Sequence, residues 1–526
     1  MPSTLQLAYG WRVELVRLAE LLTGLSMVAD IGMGLTPGEA ARATLVALEL
    51  ADLAGAEQPA DVYYVTLIQH IGCTGYAHEA AAMLGGDEIA VKRAAMRTNF
   101  ASPREILGGY LPHLAPAAGM LTRVRVAATA AARSKTIVQG YSLANCEVAA
   151  LTAERLSLGD GVHTAILDVY EQWNGKGGPR GIAGEEIAGP ARIAQVAITA
   201  SLFHGVGGRD AALAAVQARA GSALDPGLAA KIAEQPDRTL GALDVDDPLA
   251  SAVAAEPGPG VRVSELGLDA VCRAFGEAVD LKTPLHHGHA TGVAELAADA
   301  AALLGLSDED VAGLRRAGLV HDLGRAAVPN GVWEKPGGLS WAEQEQVRLH
   351  AHYSERVLSR AGPLAGLASL AGAHHERLDG SGYHRQLGGR DLGMPARVLA
   401  AADCLQAMTQ PRAHRPARPL EEAADIVIEE ARAGLLDADA VAMVVAAAGR
   451  PAPKVRAPRP AGLTDRQIEV LRLVATGLSN PQIADRLVIS RRTAERHVQD
   501  VYARIGVSSR AAAALYAMQH DLLGDG

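Results

Sequence analysis

The chain has 526 residues, of which 49% are apolar and only 3% aromatic, and its formal net charge is −10. This length indicates three or four domains, and the scarcity of aromatic residues favours helices over a large sheet. The negative charge excludes a nucleic-acid coat protein, so any DNA contact must be local. There is no CxxC pair, no signal-peptide pattern and no apolar stretch long enough to span a membrane. We therefore expect a cytoplasmic protein without a disulfide framework or membrane contact.

Most of the chain carries apolar residues at the three- and four-residue spacing of helices. Two stretches interrupt this pattern. Residues 233–262 are rich in Pro, Gly and Asp, and residues 450–461 contain four prolines in twelve positions. Interpreted as linkers, they divide the chain into domains at 1–240, 263–449 and 462–526.

The first two segments look like copies of one helical domain. HHERLDGSGY followed by MPARVLAAADCLQAM in the middle segment aligns without a gap with VYEQWNGKGG followed by GPARIAQVAITASLF in the first. Glu376 then faces Glu171, and Arg397 faces Arg192. Upstream, LVHDLGR faces LIQHIGC at a different offset, so the first copy carries a longer insertion between the two blocks.

Histidines are concentrated in the middle segment, where nine of the 17 lie between His286 and His384. Imidazole and carboxylate groups are the ligands of first-row transition metals. Adjacent residues of a helix point about 100° apart, so a doublet such as His321-Asp322 or His374-His375 sends one side chain to each of two ions. Two doublets plus single ligands from other helices predict a dinuclear site that clamps a phosphoryl group.

The middle segment resembles the HD-GYP family, the phosphodiesterase branch of the HD phosphohydrolases, over roughly 280–412. HDLGR contains the HD doublet, HHERLDGSGY corresponds to HHExxDGxGYP, and MPARVLAAAD corresponds to the helix that ends in the last aspartate. Arg348 and His350 match the family's Arg-x-His, and VPNGVWEKPGGLSWAE matches the stretch after the doublet. The resemblance implies a metal-dependent phosphodiesterase that hydrolyses a cyclic dinucleotide such as cyclic di-GMP, with a bridging hydroxide attacking phosphorus.

The resemblance also implies roles for individual residues. The metal would be iron or manganese, as two divalent ions with no organic cofactor, and Asp322 would bridge them. Asp322 and Arg325 would be the catalytic residues. The implied metal ligands are His289, His321, Asp322, His350, His374, His375 and Asp403. The implied substrate-binding residues are Arg325, Arg348, Asp379, Gly380, Gly382 and Tyr383.

Four positions depart from the family pattern. Arg325 stands where the family usually has Lys, and His384 follows Tyr383 where the family has Pro, so the turn that shapes the substrate loop is incomplete. Leu285 stands where some members carry a Glu for a third metal, which favours two ions. In LHHGHAT, His287 is an alternative to His289, although the spacing favours His289. We expect His286 and His287 to be loop residues.

The first copy has lost most ligand positions. Val169-Tyr170 replace the second histidine doublet, Asn145 replaces His350, and Ile198 replaces Asp403. Gln69-His70 lie near the HD doublet, and Glu39 lies near the first histidine. We interpret His70 as a structural histidine and this copy as a degenerate HD-like domain that serves either as a sensor and dimerisation domain or as a scaffold.

Residues 462–526 resemble the LuxR-type helix-turn-helix and predict four short helices, with Thr464 and Ser490 as helix caps. The third helix is expected in the major groove of DNA. Its candidate base-reading residues are Arg492, Glu495, Arg496 and Gln499. Its candidate phosphate contacts are Arg491, Thr493 and Arg504. A homodimer that reads two half-sites is expected.

The sequence thus predicts an all-α protein with two tandem HD-type bundles followed by a four-helix LuxR-type domain. The first hypothesis is a transcriptional regulator that hydrolyses a cyclic dinucleotide and couples this site to DNA binding. Its partners would be DNA and the nucleotide, without a membrane. Two alternatives stay open: a non-enzymatic ligand- or metal-sensing transcription factor, and a phosphohydrolase that acts on another nucleotide or phosphate ester.

Overall fold

The computed structural model describes residues 4–6, 12–116, 118–454, 460–520 and 522–523. Helices make up nearly all of its regular structure, so the all-α prediction is confirmed. The strands form two short antiparallel ribbons: β1 (Thr4–Gln6) with β2 (Arg12–Glu14), and β3 (Val16–Arg17) with β4 (Arg262–Val263). Among the described residues, no helix combines the length and the apolar character that a membrane crossing requires.

The helices form three units along the chain. The N-terminal unit contains α1 (Leu18–Gly32), α2 (Glu39–Ala54), α3 (Pro59–Ile68), α4 (Ala77–Leu84), α5 (Glu88–Arg97), α6 (Pro103–Glu105), α7 (Met120–Ala132), α8 (Ser134–Arg155), α9 (Asp160–Ile166), α10 (Gly189–Arg219), α11 (Pro226–Glu234), α12 (Pro236–Thr239) and α13 (Pro248–Ala254). The central unit contains α14 (Glu265–Asp280), α15 (His289–Leu303), α16 (Asp308–Val320), α17 (Asn330–Trp333), α18 (Trp341–Leu358), α19 (Ala368–Gly372), α20 (Met394–Thr409), α21 (Leu420–Arg432) and α22 (Ala438–Ala447). The C-terminal unit contains α23 (Asp465–Ala475), α24 (Asn480–Leu487), α25 (Arg491–Ile505) and α26 (Arg510–Gln519).

The N-terminal and central units share one hydrophobic core. Every residue of α1 except Glu20 is buried, as expected for a helix that is apolar on all sides. One side of α1 packs against the central unit, and a Cβ atom at Gly24 would lie 2.4 Å from the Cα of Ala361. Only glycine therefore permits this approach, which fixes the N-terminal unit against α18 and the segment that follows it.

The two units repeat the same stabilising contacts, which supports the alignment of the two copies. Glu376 accepts hydrogen bonds from the backbone N–H groups of Arg385 and Leu387, and Glu171 accepts them from Arg180 and Gly181. A Cβ atom at Gly382 or at Gly177 would meet the backbone of the respective glutamate within 2.5 Å. The ion pair Arg397–Asp437 at 3.0 Å has its counterpart in Arg192–Asp225 at 2.7 Å.

The expectation of a helix-free linker over 233–262 is wrong. This stretch contains α12 and α13, and Ala252 of α13 is buried against the N-terminal unit. Tyr63 donates a hydrogen bond from Oη to the carbonyl of Ala252 at 3.0 Å. Two of its four prolines, Pro236 and Pro248, occupy the first turn of α12 and α13, where a backbone N–H has no acceptor within the helix and proline is tolerated. The second predicted linker, 450–461, lies partly outside the described residues.

The C-terminal unit has the four helices predicted for it, around its own hydrophobic core. Thr464 and Gln467 form a capping box at α23, and Ser490 accepts a hydrogen bond from the Thr493 N–H at α25. Val488, in the left-handed backbone conformation, forms the turn between α24 and α25. The helix-turn-helix plan follows from these caps and this turn.

Candidate metal centre

The seven predicted ligands come from five places in the central unit and meet in its interior. His289 begins α15, and Asp280 fixes that helix start because its carboxylate accepts the Ala290 N–H at 2.9 Å. His350 lies on α18 and Asp403 on α20. The two doublets directly follow the ends of α16 and α19. They therefore lie in turns, whereas the sequence predicted them within helices. Six of the seven side chains are buried, and the seventh, His375, is intermediate.

The ligand atoms form two groups, each within a span of 4.8 Å. One consists of His289, His321, Asp322 and Asp403, and the other of His350, His374 and His375. The two histidines of the second doublet thus belong to one group, contrary to the expectation of one side chain for each ion. Their rings lie 4.2 Å apart, so the turn after α19 keeps them side by side.

Asp322 connects the two groups with its two carboxylate oxygens. Oδ2 lies 2.9 Å from His321 Nε2 and 3.3 Å from His289 Nε2. Oδ1 lies 3.3 Å from His350 Nε2 and 3.5 Å from His374 Nε2. A carboxylate that presents one oxygen to each of two sets of imidazoles has the arrangement of a bridging ligand between two ions.

Four of the histidines are held with Nε2 directed at the cluster. Their Nδ1 atoms lie within hydrogen-bond distance of oxygens outside it: 2.7 Å from the Gly318 carbonyl for His321, 2.7 Å from the Ala371 carbonyl for His374, and 3.0 Å from Gln410 Oε1 for His289. His350 makes the same contact with the Val347 carbonyl. Such contacts fix the tautomer that leaves Nε2 free to bind a metal, which is how metal-binding histidines are usually held.

The electrostatics of the cluster suit cations. Burial alone would raise the pKa of Asp322, but Arg325 and His321 outweigh it and hold that pKa well below its usual range. Burial lowers the pKa of His374 to about 4 and keeps the imidazole neutral, as a metal ligand must be. Burial would lower the pKa of His321, but the carboxylates of Asp322 and Asp403 outweigh it and raise that pKa to about 10. The negative potential of these two carboxylates would attract a cation to the cluster.

Several polar atoms of the cluster are buried without a partner in hydrogen-bond geometry among the described residues. They are both carboxylate oxygens of Asp322, Oδ1 of Asp403 and Nε2 of His321. Buried polar atoms left unpaired are costly, and a bound cation would satisfy all four. The donor set therefore fits divalent transition-metal ions.

Arg325 lies at the edge of the cluster, 2.7 Å from Asp322 Oδ2, with its guanidinium over the Trp333 ring at 5.4 Å. Its Nε and Nη1 atoms are buried and have no hydrogen-bond partner in the described part of the chain. His286 packs edge-on against the same tryptophan at 5.5 Å and is buried in a short 3-10 turn between α14 and α15, and it belongs to neither group of candidate ligands. His287 is exposed, which favours His289 as the ligand.

The predicted substrate loop covers one side of the cluster. The Tyr383 ring lies 4.7 Å from the His375 ring, and Arg348 on α18 stands over it at 5.6 Å. Gly380 adopts positive φ, while Asp379 is exposed and accepts the Ser381 N–H at 2.9 Å, so it shapes the turn. His384, at the position of the missing proline, turns away from the cluster and lies 3.0 Å from Glu355 on α18.

Sequence reasoning missed Arg412 and Gln410, which follow α20. Arg412 donates to the Leu285 carbonyl at 3.0 Å, and burial lowers its pKa to about 10. Its charge acts on Asp322 and Asp403, so it adds positive potential beside Arg325. The segment TQPRAHRP contains five polar or basic residues but no spacing that distinguishes these two.

In the N-terminal unit the corresponding position has become a packed core. His70 Nδ1 lies 2.9 Å from the hydroxyl of Tyr170, the residue that replaces a ligand histidine. Burial lowers the pKa of His70 to about 4, which agrees with a structural histidine. Asn145 and Glu39 are buried as well. Within the described residues, both groups of candidate metal ligands lie in the central unit.

The predicted DNA-reading face of α25 is open to solvent. Its exposed residues are Arg491, Arg492, Glu495, Arg496, Gln499 and Arg504, while Thr493 is half-buried. Ala494 and Val498 of the same helix are buried in the core of the unit. Arg504 donates to the carbonyl of Gly462 and so also holds the start of the unit.

Comparisons with known proteins agree with this architecture. Residues 128–228 and 273–440, just over half of the chain, match the family model of the HD domain. The chain belongs to the HD domain family. Residues 461–517 match the model of bacterial regulatory proteins of the luxR family. The two separate HD matches fall in the N-terminal and central units.

Individual relatives are cyclic-dinucleotide phosphodiesterases. The 3'3'-cGAMP-specific phosphodiesterase 3 of Vibrio cholerae is 29% identical over 418 residues, which cover 78% of this chain and 90% of that protein. A cyclic di-GMP phosphodiesterase of Thermotoga maritima is 37% identical over 26% of this chain and 38% of that protein. A crystal structure of a cyclic GMP-AMP specific phosphodiesterase of V. cholerae covers 83% of this chain and 98% of its own, with 26% identity and a TM-score of 0.56. The similarity thus includes the N-terminal unit as well as the metal centre.

Proposed function

We propose that the central unit hydrolyses a cyclic dinucleotide with two divalent transition-metal ions, manganese or iron, held by the seven ligands. The observation that carries this proposal is Asp322, whose two oxygens face two separate groups of imidazoles. The ions would supply Lewis acidity and an activated water to a phosphodiester. Hydrolysis replaces one P–O bond of the ring by a bond to the oxygen of water and gives a linear dinucleotide.

The surrounding residues would bind and orient the phosphodiester. Arg325 has two unpaired donors, Nε and Nη1, that can bind phosphate oxygens while Nη2 stays near Asp322. Arg412 adds a second positive charge beside the carboxylates. Arg348 and Tyr383 form the outer wall where a nucleoside would lie, and Gly380, Gly382 and Asp379 hold that loop in shape.

The relatives support a cyclic dinucleotide as the substrate, and they are named for two members of this class, 3'3'-cGAMP and cyclic di-GMP. The relative that aligns with most of this chain is named for 3'3'-cGAMP, and shorter matches are named for cyclic di-GMP. His384 in place of proline, with Nε2 3.0 Å from a Glu355 carboxylate oxygen, gives the loop an anchor of its own. We therefore test both cyclic dinucleotides in parallel.

The experiment uses the full chain loaded with Mn²⁺ or, anaerobically, with Fe²⁺. Products from 3'3'-cGAMP and cyclic di-GMP are separated by chromatography, and bound metal is counted. Asp322→Asn should abolish turnover and reduce metal content, whereas Asp425→Asn, an exposed carboxylate of α21 in the same unit, should change neither. No turnover of either substrate by protein with two metals bound would overturn the proposal and favour a ligand-sensing transcription factor or another phosphate substrate.

We propose further that α25 binds DNA, which would require a cytoplasmic location. The match to the luxR family and the exposed polar face of α25 support this. A helix-turn-helix reads one half-site, so a homodimer would read two. Binding to a genomic fragment library, with Arg496→Ala as a comparison, tests this; equal, salt-insensitive recovery of fragments by both proteins would contradict it.

A further inference from the structure

We propose that a basic cavity in the N-terminal unit is a second binding site, which takes a small phosphate-bearing anion. The cavity has a volume of about 500 Å³ and lies where α5 meets residues 104–113. These residues belong to the insertion that lies within the N-terminal copy, between its two aligned blocks. The cavity shares no lining residue with the metal centre.

The lining carries a concentration of positive charge. Arg93 and Arg97 lie one turn apart on α5, and Arg104 and His113 come from the segment that faces them. Arg93, Arg97 and Arg104 are exposed, and among the described residues none of their side chains has a hydrogen bond or an ion pair with a carboxylate.

The one carboxylate of the lining is already engaged. Glu105 Oε2 accepts the Asn99 N–H at 2.7 Å and lies 3.5 Å from Arg219 on α10. Within the described residues it forms no ion pair with Arg93, Arg97 or Arg104. The positive charge of these three arginines is therefore available to a ligand. Three guanidinium groups around one cavity suit phosphate, because each offers a planar pair of donors.

The size of the cavity indicates a small molecule rather than a macromolecule. A volume of about 500 Å³ falls within the range of small-molecule sites. The adjacent Gly108 and Gly109 contribute no side chain to the wall, and a Cβ atom at Gly108 would have no atom within 4 Å. The space can therefore hold more than a single phosphate, such as a pyrophosphate or a nucleotide.

The helix that supplies two of the arginines also contacts the central unit. At the start of α5, the buried Glu88 lies 2.7 Å from Lys282 Nζ and accepts the Asn330 N–H at 2.9 Å. Lys282 and Asn330 flank the segments that carry His286 and Trp333. An anion that orders the end of α5 thus acts on a helix packed next to the metal centre.

The test measures binding to the full chain and does not depend on phosphodiesterase activity. Inorganic pyrophosphate and GTP are the probes, with calorimetry for affinity and hydrogen–deuterium exchange for location. The variant is Arg93→Gln with Arg104→Gln. The matched control is Arg125→Gln with Arg133→Gln, two exposed arginines of the same unit that do not line the cavity.

We expect pyrophosphate to bind the wild-type chain, to protect peptides within 93–113 from exchange, and to bind the cavity variant at least tenfold more weakly. The control should match the wild type, and affinity should fall with ionic strength. Tighter binding of GTP than of pyrophosphate would identify a nucleotide site. Equal affinity for the two probes would identify a site that binds only the phosphate groups. Equal affinity of variant and wild type, or binding without protection of 93–113, overturns the proposal. Arg104→Gln alone, at an exposed position, repeats the test should the double variant unfold.

Discussion

The ion pair between Glu88 and Lys282 joins the two HD units, and its removal should destabilise their shared body. The side chains are almost completely buried, at 0% and 1% exposure, with Oε1 2.7 Å from Nζ. Glu88→Gln keeps the shape of the side chain and removes its charge. The Lys282 ammonium then has only neutral acceptors nearby, the amide oxygen at position 88 and the Ala326 carbonyl at 3.4 Å, and its charge is no longer compensated there.

The expected magnitude follows from burial. Removing one partner of a buried pair leaves an uncompensated charge and typically costs about 3–5 kcal/mol. Lys282→Met should cost somewhat less than Glu88→Gln, because Glu88 keeps the Asn330 N–H and the nearby charge of Lys92. The double variant leaves no buried charge at this pair, so it should recover about 2–3 kcal/mol relative to the sum of the single variants.

The free energy of unfolding is measured by urea titration, with the fluorescence of Trp333 and the other tryptophans as the signal. The exposed pair Arg432–Glu429 provides the control, and Glu429→Gln should change stability by less than about 0.5 kcal/mol. The reasoning is refuted by two results: a loss below about 1 kcal/mol for Glu88→Gln, or additive losses in the double variant. Either would mean that the pair is hydrated or already open in the folded protein.

Three further outcomes are expected. Gly382→Ala would place a Cβ atom 2.4 Å from the Glu376 Cα and should therefore shift the substrate loop. We expect turnover to fall at least tenfold while the metal content stays constant. Gly337→Ala is the control and should be neutral, because a Cβ atom there would have no atom within 4 Å. Burial would raise the pKa of Glu88, but the charges of Lys282 and Lys92 outweigh it and lower that pKa. The ionised Glu88 carboxylate therefore stabilises the fold above its ordinary pKa of 4.5, and this stabilisation is lost as the pH falls through the pKa of the folded state. Acid titration of stability should therefore be shallower in Glu88→Gln, and equal slopes would contradict this. Arg492→Ala should weaken DNA binding by about 1–3 kcal/mol at fixed salt, whereas Arg432→Ala, with the same change of charge far from α25, should not.

The sequence predicted which side chains would form the candidate metal centre because their identity lies in local motifs. The doublets, His350 and Asp403 each belong to a short segment, and the helices between them bring these segments together. The same holds for the C-terminal unit, where Thr464 and Ser490 cap the helices they were expected to cap. The clustering of these side chains around Asp322 was thus accessible from the sequence alone.

Features that depend on distant contacts were not accessible. The burial of His286 in the turn before α15 is one example, because it depends on contact with Trp333, far along the chain. Residues 233–262 looked like a linker because Pro and Asp mark turns. In the fold, Asp247 caps α13, accepting the Leu249 and Ala250 N–H groups, and Pro248 starts it. The same residues signal a turn or a helix start, and only the packing of Ala252 decides between them.

The shared core gives the N-terminal unit a structural role that does not depend on the ligand residues present in the central unit. Its ligand positions are now filled by packing residues such as Tyr170, which satisfies His70. Its α1, buried on nearly all sides, fills the groove beside α18, while Val271 and Phe275 of α14 lie in the same core. Replacing a ligand leaves this apolar contact unchanged, whereas losing α1 would expose the core of the unit that carries the metal centre. Chemistry and packing are therefore under separate constraints, and the insertion at α4–α7 contacts the central unit through Glu88, which is bound to Asn330 and Lys282.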